Sequence, residues 1–147
     1  PGITIHLVNE KFDDGHIIWM KRIKRESYFS YGILEQYFRQ LLVEGVVFII
    51  QHIAQHKNFV SIPKEISKSA YQKRPELKDI IINWHTMTAC QIVNLINACN
   101  PWNKGATAFY KGSEVKIIDA YVNETTKHEN SPPGTIIETT DTLKVAC

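Results

Sequence analysis

The chain has 147 residues, 44% of them apolar, with a formal net charge of +2. That length fits one ordinary domain or two partial ones, and the apolar content excludes a disordered chain. The charge balance requires neither nucleic acid nor an anionic surface; three cysteines argue against a disulfide scaffold and for a reducing, cytoplasmic setting; and no apolar run reaches the roughly 18 residues of a membrane helix.

The elements follow in chain order. Residue 1 is Pro, and an apparent core strand begins almost at once, so the expectation is a fragment cut from a larger domain. Thr4, His6 and Val8 alternate with Ile3, Ile5 and Leu7, and Ile17, Ile18 and Trp19 restart an extended run, so residues 3–9 and 16–23 predict two antiparallel strands. Asp13-Asp14-Gly15 between them is a turn signal, because Asp tolerates and Gly favours the backbone angles of a short reversal. A carboxylate at such a mouth is held by two strands, a setting suited to a proton-handling group. The cluster Lys21–Arg25 that ends the second strand reads either as a solvated strand end or as a phosphate site.

Leu34, Tyr37, Phe38, Leu41, Leu42, Val46, Phe48, Ile49 and Ile53 recur at helical spacing and predict a long core helix over 31–55, with Ser30 as its N-cap. Gly45 within it implies a close approach. His52 and His56 stand four apart, a spacing that can bind zinc from one helix face, but Ile53 occupies the place of the Glu that metalloprotease helices carry. Imidazoles at a helix C-terminus account for them better, and no metal is expected.

Residues 57–78, with Pro63, Pro75 and many Lys, predict a surface connection. A second helix follows at 88–99, capped by Thr86 or Thr88, and Pro101 ends it. From 106 onward the pattern is all-β: a hairpin of 107–110 and 114–122 about Lys111-Gly112, then short strands at 134–138 and 142–147.

Two sets of residues carry a resemblance. Gly2, Thr4, His6, Val8, Asp13, Gly15, Ile17 and Ile18 fall in register with the strand "G-x-T-x-H-x-V-…-D-x-G-x-I-I" of the folate-dependent formyltransferases. Asn97-Ala98-Cys99-Asn100-Pro101-Trp102, followed by Gly105-Ala106, resembles that family's "R-A-x-N-P-W-…-G-A". Between them Ser69–Pro75 and Ile82-Asn83-Trp84 resemble its "A-T-Y-…-R" and "I-x-W" stretches, and Pro133-Gly134-Thr135-Ile136 its "P-G-x-I". The resemblance implies an α/β fold. Residues 1–99 would be the C-terminal part of a Rossmann-like catalytic domain, an antiparallel strand pair plus long helix, with its connecting segment. Residues 100–147 would start a small β-rich module of OB-like or hairpin type.

It also implies transfer of a formyl group from N10-formyltetrahydrofolate to an amine. Asp13 would be catalytic, with Asp14 the weaker candidate. His6, Asn9, Glu10 and Lys11 would line the folate pocket, the last three through backbone facing the pterin. Asn100 and Trp102 either shape an acceptor pocket or plug the junction. The run Asn100-Pro101-Trp102-Asn103-Lys104 departs from the "N-P-W-P" of the transfer-RNA branch and resembles the branch acting on a nucleotide-linked amino sugar, with Lys104 on the diphosphate and Tyr110 or Phe109 on the base. A portion of a methionyl-transfer-RNA formyltransferase is the alternative, and a non-catalytic binding or dimerisation module is a third reading; a homodimer is possible under either. The family's Asn-x-His triplet is absent from the sequence, so the chain alone is expected to be inactive.

Overall fold

In the computed structural model, residues 1–11, 14–62, 73–123, 131–139 and 141–147 are described. The chain divides into two compact units, one of Pro1–Phe29 with Ile33–Gln72 and one of Ser30–Gly32 with Lys73–Cys147.

The first unit pairs β1 (Gly2–His6) with β2 (Ile17–Arg22) in antiparallel register, Gly2 opposite Arg22 and Ile5 opposite Trp19, with an irregularity before His6. Helix α1 spans Tyr31–Ala54. Its close approach to the strands falls at Gly45, where an added Cβ would lie 2.6 Å from Ile5 Cδ1 and 2.8 Å from Trp19 Cε3. Lys21 Nζ bonds Glu44 on this helix at 2.7 Å. Both ends of that pair are half exposed, so it orients more than it stabilises. Phe29, buried, stacks on Tyr37.

The second unit holds a contiguous core of Ile80, Ile82, Ile92, Ile96, Cys99, Ala106 and Ala108. Helix α2 (Ala89–Cys99) supplies Ile92, Ile96 and Cys99 from one face. Thr88 caps it reciprocally: its hydroxyl accepts from the Gln91 N–H at 3.3 Å, and Gln91 Oε1 accepts from the Thr88 N–H at 2.8 Å. Against α2 lies β3 (Ala106–Tyr110), whose first three residues are buried and small or medium-sized, as close helix–strand packing needs. β3 pairs with β4 (Ser113–Ile117) through a two-residue reversal in which Lys111 (φ 49°) and Gly112 (φ 81°) both take the left-handed region. That geometry matches the strand twist. β5 (Ile136–Thr139) and β6 (Leu143–Val145) form a third antiparallel pair.

The predicted strand pairs and both helices are thus present. Three details differ. Leu77–Ile80 forms a 3-10 helix inside the supposed surface connection, and its Ile80 is 2% exposed. β4 stops at Ile117 rather than 122, where Ile118 and Asp119 leave the ladder and the Ile118 carbonyl accepts from Asn100 instead. And α1, expected as a core helix, buries only Leu41 and Gly45.

Candidate functional site

Residues singled out from the sequence gather in two places, one in each unit. In the first unit they lie at the mouth of the β1–β2 pair. The Leu7 N–H donates to the His16 carbonyl at 3.0 Å, carrying the pairing one step past the strand end. His6 is half-buried there, with Nδ1 3.1 Å from the Leu7 carbonyl oxygen. Asn9 Oδ1 accepts the Lys11 N–H at 3.0 Å, a local turn that reverses the backbone. Asn9, Glu10 and Lys11 are exposed. Asp13 lies outside the described residues, while Asp14 beside it is exposed.

On the far side of β2, His16 Nδ1 lies 3.3 Å from Ser61 Oγ, and the Ile62 N–H donates to the Ile17 carbonyl at 2.8 Å. Ser61 escaped the sequence reading because a serine in a polar stretch carries no signal. The mouth therefore combines two imidazoles, an exposed backbone reversal and acidic side chains, a set able to hold a polar heterocycle and handle a proton. A shallow depression lined by Pro1, Ile3, Met20 and Ile23 sits at the opposite end of the same strand pair, away from these groups.

Two other motifs resolve into structure. Lys21 pairs with Glu44, and Lys24 with Glu26 at 3.5 Å, as a solvated strand end would. The His52 ring lies between Phe48 (4.0 Å) and Phe59 (5.6 Å), and His56 turns into the left-handed region at φ 50° where α1 ends.

In the second unit the candidates surround the end of α2. Asn100 follows the helix, and its side-chain amide donates to the Ile118 carbonyl at 2.8 Å. Trp102 Nε1 donates back to the Ala98 carbonyl at 2.6 Å, and about half of the indole stays exposed. Its polar atom is thereby satisfied, and its bare face can stack. Lys104, at φ 56°, donates its N–H to the Pro101 carbonyl at 2.9 Å and is exposed. Gly105 at φ 92° then brings the chain into β3, and any Cβ there would run into the Ile117 carbonyl oxygen. Tyr110 and Phe109 stand half exposed at the outer end of β3, with Lys111 Nζ 5.3 Å above the Tyr110 ring. Asn100 and Trp102 are each bonded to a backbone carbonyl, of Ile118 and Ala98 respectively, and Trp102 also presents a ring face. Lys111 was legible in the sequence as a turn residue beside Gly112, but its place over the Tyr110 ring was not.

Burial pushes the Cys99 thiol up from its ordinary range, a nearby Lys116 opposing this in part. Burial likewise raises the Cys147 thiol.

Comparison with known proteins adds a second line of observation. Residues 76–147 match the family model described as formyl transferase, C-terminal domain. The chain is 28% identical, over 99% of its length, to the methionyl-tRNA formyltransferase of Roseiflexus castenholzii, and spans 45% of that protein. It is 31% identical over 95% of its length to the methionyl-tRNA formyltransferase of Staphylococcus aureus strain MW2, spanning 43%. The chain thus spans less than half the length of these relatives. In fold it is similar to a variant of HypX from Aquifex aeolicus (TM-score 0.75, 18% identity, 99% of this chain and 25% of that one). It is similar also to HypX solved in complex with tetrahydrofolic acid (TM-score 0.74, 18% identity, the same coverage). Residues 76–147 thus resemble the formyl transferase C-terminal domain, and the chain over nearly its full length is similar to methionyl-tRNA formyltransferases.

Proposed function

We propose that this chain is part of an enzyme that moves the formyl group of N10-formyltetrahydrofolate onto the amine of methionyl-tRNA. The observation that carries the reading is the similarity to methionyl-tRNA formyltransferases across 99% of the chain, which runs through both groups of candidate residues. The fold shared with a tetrahydrofolic acid-bound protein supports the donor. The acceptor follows the relatives rather than the amino-sugar nucleotide that the run Asn100–Lys104 pointed to.

In this reading Asp13 relays the proton that the attacking amine must lose, and the exposed run Asn9–Lys11 with His6 meets the pterin. Backbone donors and acceptors can read such a ring's edge whatever the side chains are. Trp102, Lys104 and Tyr110 face the acceptor, where an indole or phenol ring stacks on a base and lysine meets phosphate. Asn100 holds that surface together.

The test replaces the matching segment of the Roseiflexus castenholzii enzyme with this chain and offers the formyl donor with methionyl-tRNA or with an amino-sugar nucleotide. The chimera should formylate methionyl-tRNA, and Asp13→Asn should lower turnover about 100-fold, the size of a lost acid–base contribution. The 147-residue chain alone should be inactive. Preference for the amino-sugar nucleotide would reverse the acceptor, and near-normal turnover in the Asn variant would remove Asp13 from the chemistry. Calorimetry of tetrahydrofolic acid with the unaltered chain serves as a check that does not depend on the chimera folding.

A further inference from the structure

The connection between β1 and β2 is held at its base from two sides. On the β1 side the Leu7 N–H donates to the His16 carbonyl at 3.0 Å. On the other side the Ile62 N–H donates to the Ile17 carbonyl at 2.8 Å, an antiparallel bridge that lays the segment after α1 along the start of β2. Next to that bridge His16 Nδ1 lies 3.3 Å from Ser61 Oγ. Gly15 is buried at the same spot, and an added Cβ there would lie 3.0 Å from His6 Nδ1. The bridge is made by backbone and would form with any residue at 61. The hydroxyl is a separate tie, and strand pairing does not call for it, since an extended segment favours β-branched and aromatic residues over serine. Among the described residues it is the side-chain partner of the His16 ring.

We propose that Ser61 is a positioning residue for the formyl-donor site, acting through His16 on the backbone run Asn9–Lys11. The inference rests on the formyl-transfer reading, in which that run meets the pterin. The path is short. Ser61 holds the His16 ring, the His16 carbonyl holds the Leu7 N–H, and Leu7 is two residues from Asn9. Asn9 then turns the chain back through its Oδ1, which accepts the Lys11 N–H at 3.0 Å. A hydroxyl both donates and accepts, so it holds Nδ1 with or without a proton on that nitrogen. Backbone groups that read a ring edge must stay aligned with it, because hydrogen bonds weaken steeply as their angle closes. They face the donor alike in ground and transition state, so their misalignment raises the KM for the donor more than it lowers kcat. A serine that served only the fold would act on stability and would not single out one of two substrates.

The experiment compares Ser61→Val with Ser61→Thr, which match in shape and differ in the hydroxyl; Ser61→Ala takes the place of Ser61→Val if that variant does not fold. In the chimera with the Roseiflexus castenholzii enzyme, Ser61→Val should raise the KM for the formyl donor about 10-fold and keep the KM for methionyl-tRNA within about 2-fold, as lost donor contacts do. Ser61→Thr should restore the donor KM. Equal donor KM in the two variants would overturn the proposal, and so would a loss that falls equally on both substrates. A chimera that is inactive with Ser61 in place counts against the formyl-transfer reading and not against Ser61. The chain itself then decides, by nuclear magnetic resonance. Ser61→Val should shift the His16 ring nitrogens and the amides of Asn9, Glu10 and Lys11, and Ser61→Thr should shift them far less. If those amides stay in place in Ser61→Val, or both variants shift them alike, the hydroxyl does not act on the donor run and the proposal falls.

Discussion

Gly15 is buried where β1 and β2 converge, and a methyl group there would run into the carbonyl oxygen of Leu7. That oxygen is backbone and cannot swing aside. Gly15→Ala should therefore cost about 1–3 kcal/mol, the usual range for overpacking, read as a lower urea midpoint. Gly45→Ala should cost less. Its Cβ meets the tip of Ile5 and the edge of Trp19, and the helix regains roughly 1 kcal/mol of propensity. The reverse order would show that the strand pair is looser than described. Cys99 offers a titration test at the same scale. Its folded thiol is shifted up by burial, so the folded state holds the proton more tightly than the unfolded chain does. The associated stability is complete below the ordinary thiol range, about pH 8.5, and is lost as pH rises through the folded value. Denaturation midpoints should fall across that alkaline window, and Cys99→Ala should flatten the fall. Cys90, exposed, should react with a thiol reagent in the native chain, and Cys99 only after unfolding.

At the scale of elements, the cap of α2 gives the clearest expectation. Thr88→Ala removes the acceptor for the Gln91 N–H and should cost about 1 kcal/mol, seen as a lower melting temperature, while Thr86→Ala should cost less because Thr86 takes no part in that cap. Thr88 was legible in the sequence as one of two candidates, and its reciprocal bonds with Gln91 in the structure decide between them. The strand pair was legible from alternation, and the Lys111-Gly112 reversal from its residue types. The outward face of α1 was not, because spacing shows which residues share a face but not whether anything covers it. The 3-10 helix was hidden for a related reason: Leu77–Ile80 sits among charged residues, and only the tertiary fold brings Ile80 into the core. Half of the candidate site was equally illegible. The partnership of His16 with Ser61 joins residues 45 positions apart and has no local signature.

At the scale of the molecule, each unit carries its own aromatic reporter. The chain has three tryptophans. Trp19 lies against Gly45 in the first unit; Trp84 lies against Gly134 in the second, 3.1 Å from where a Cβ would sit, and Trp102 is bonded to Ala98 in that same unit. Emission from Trp19→Phe therefore follows the second unit alone, and emission from Trp84→Phe/Trp102→Phe follows the first. Among the described residues the second unit has the larger buried set, so its transition in urea should come at the higher concentration. Coincident midpoints would mean that the two halves melt as one cooperative block. The packing of two glycines against two indole rings thus makes the chain a built-in optical assay of how its parts come apart.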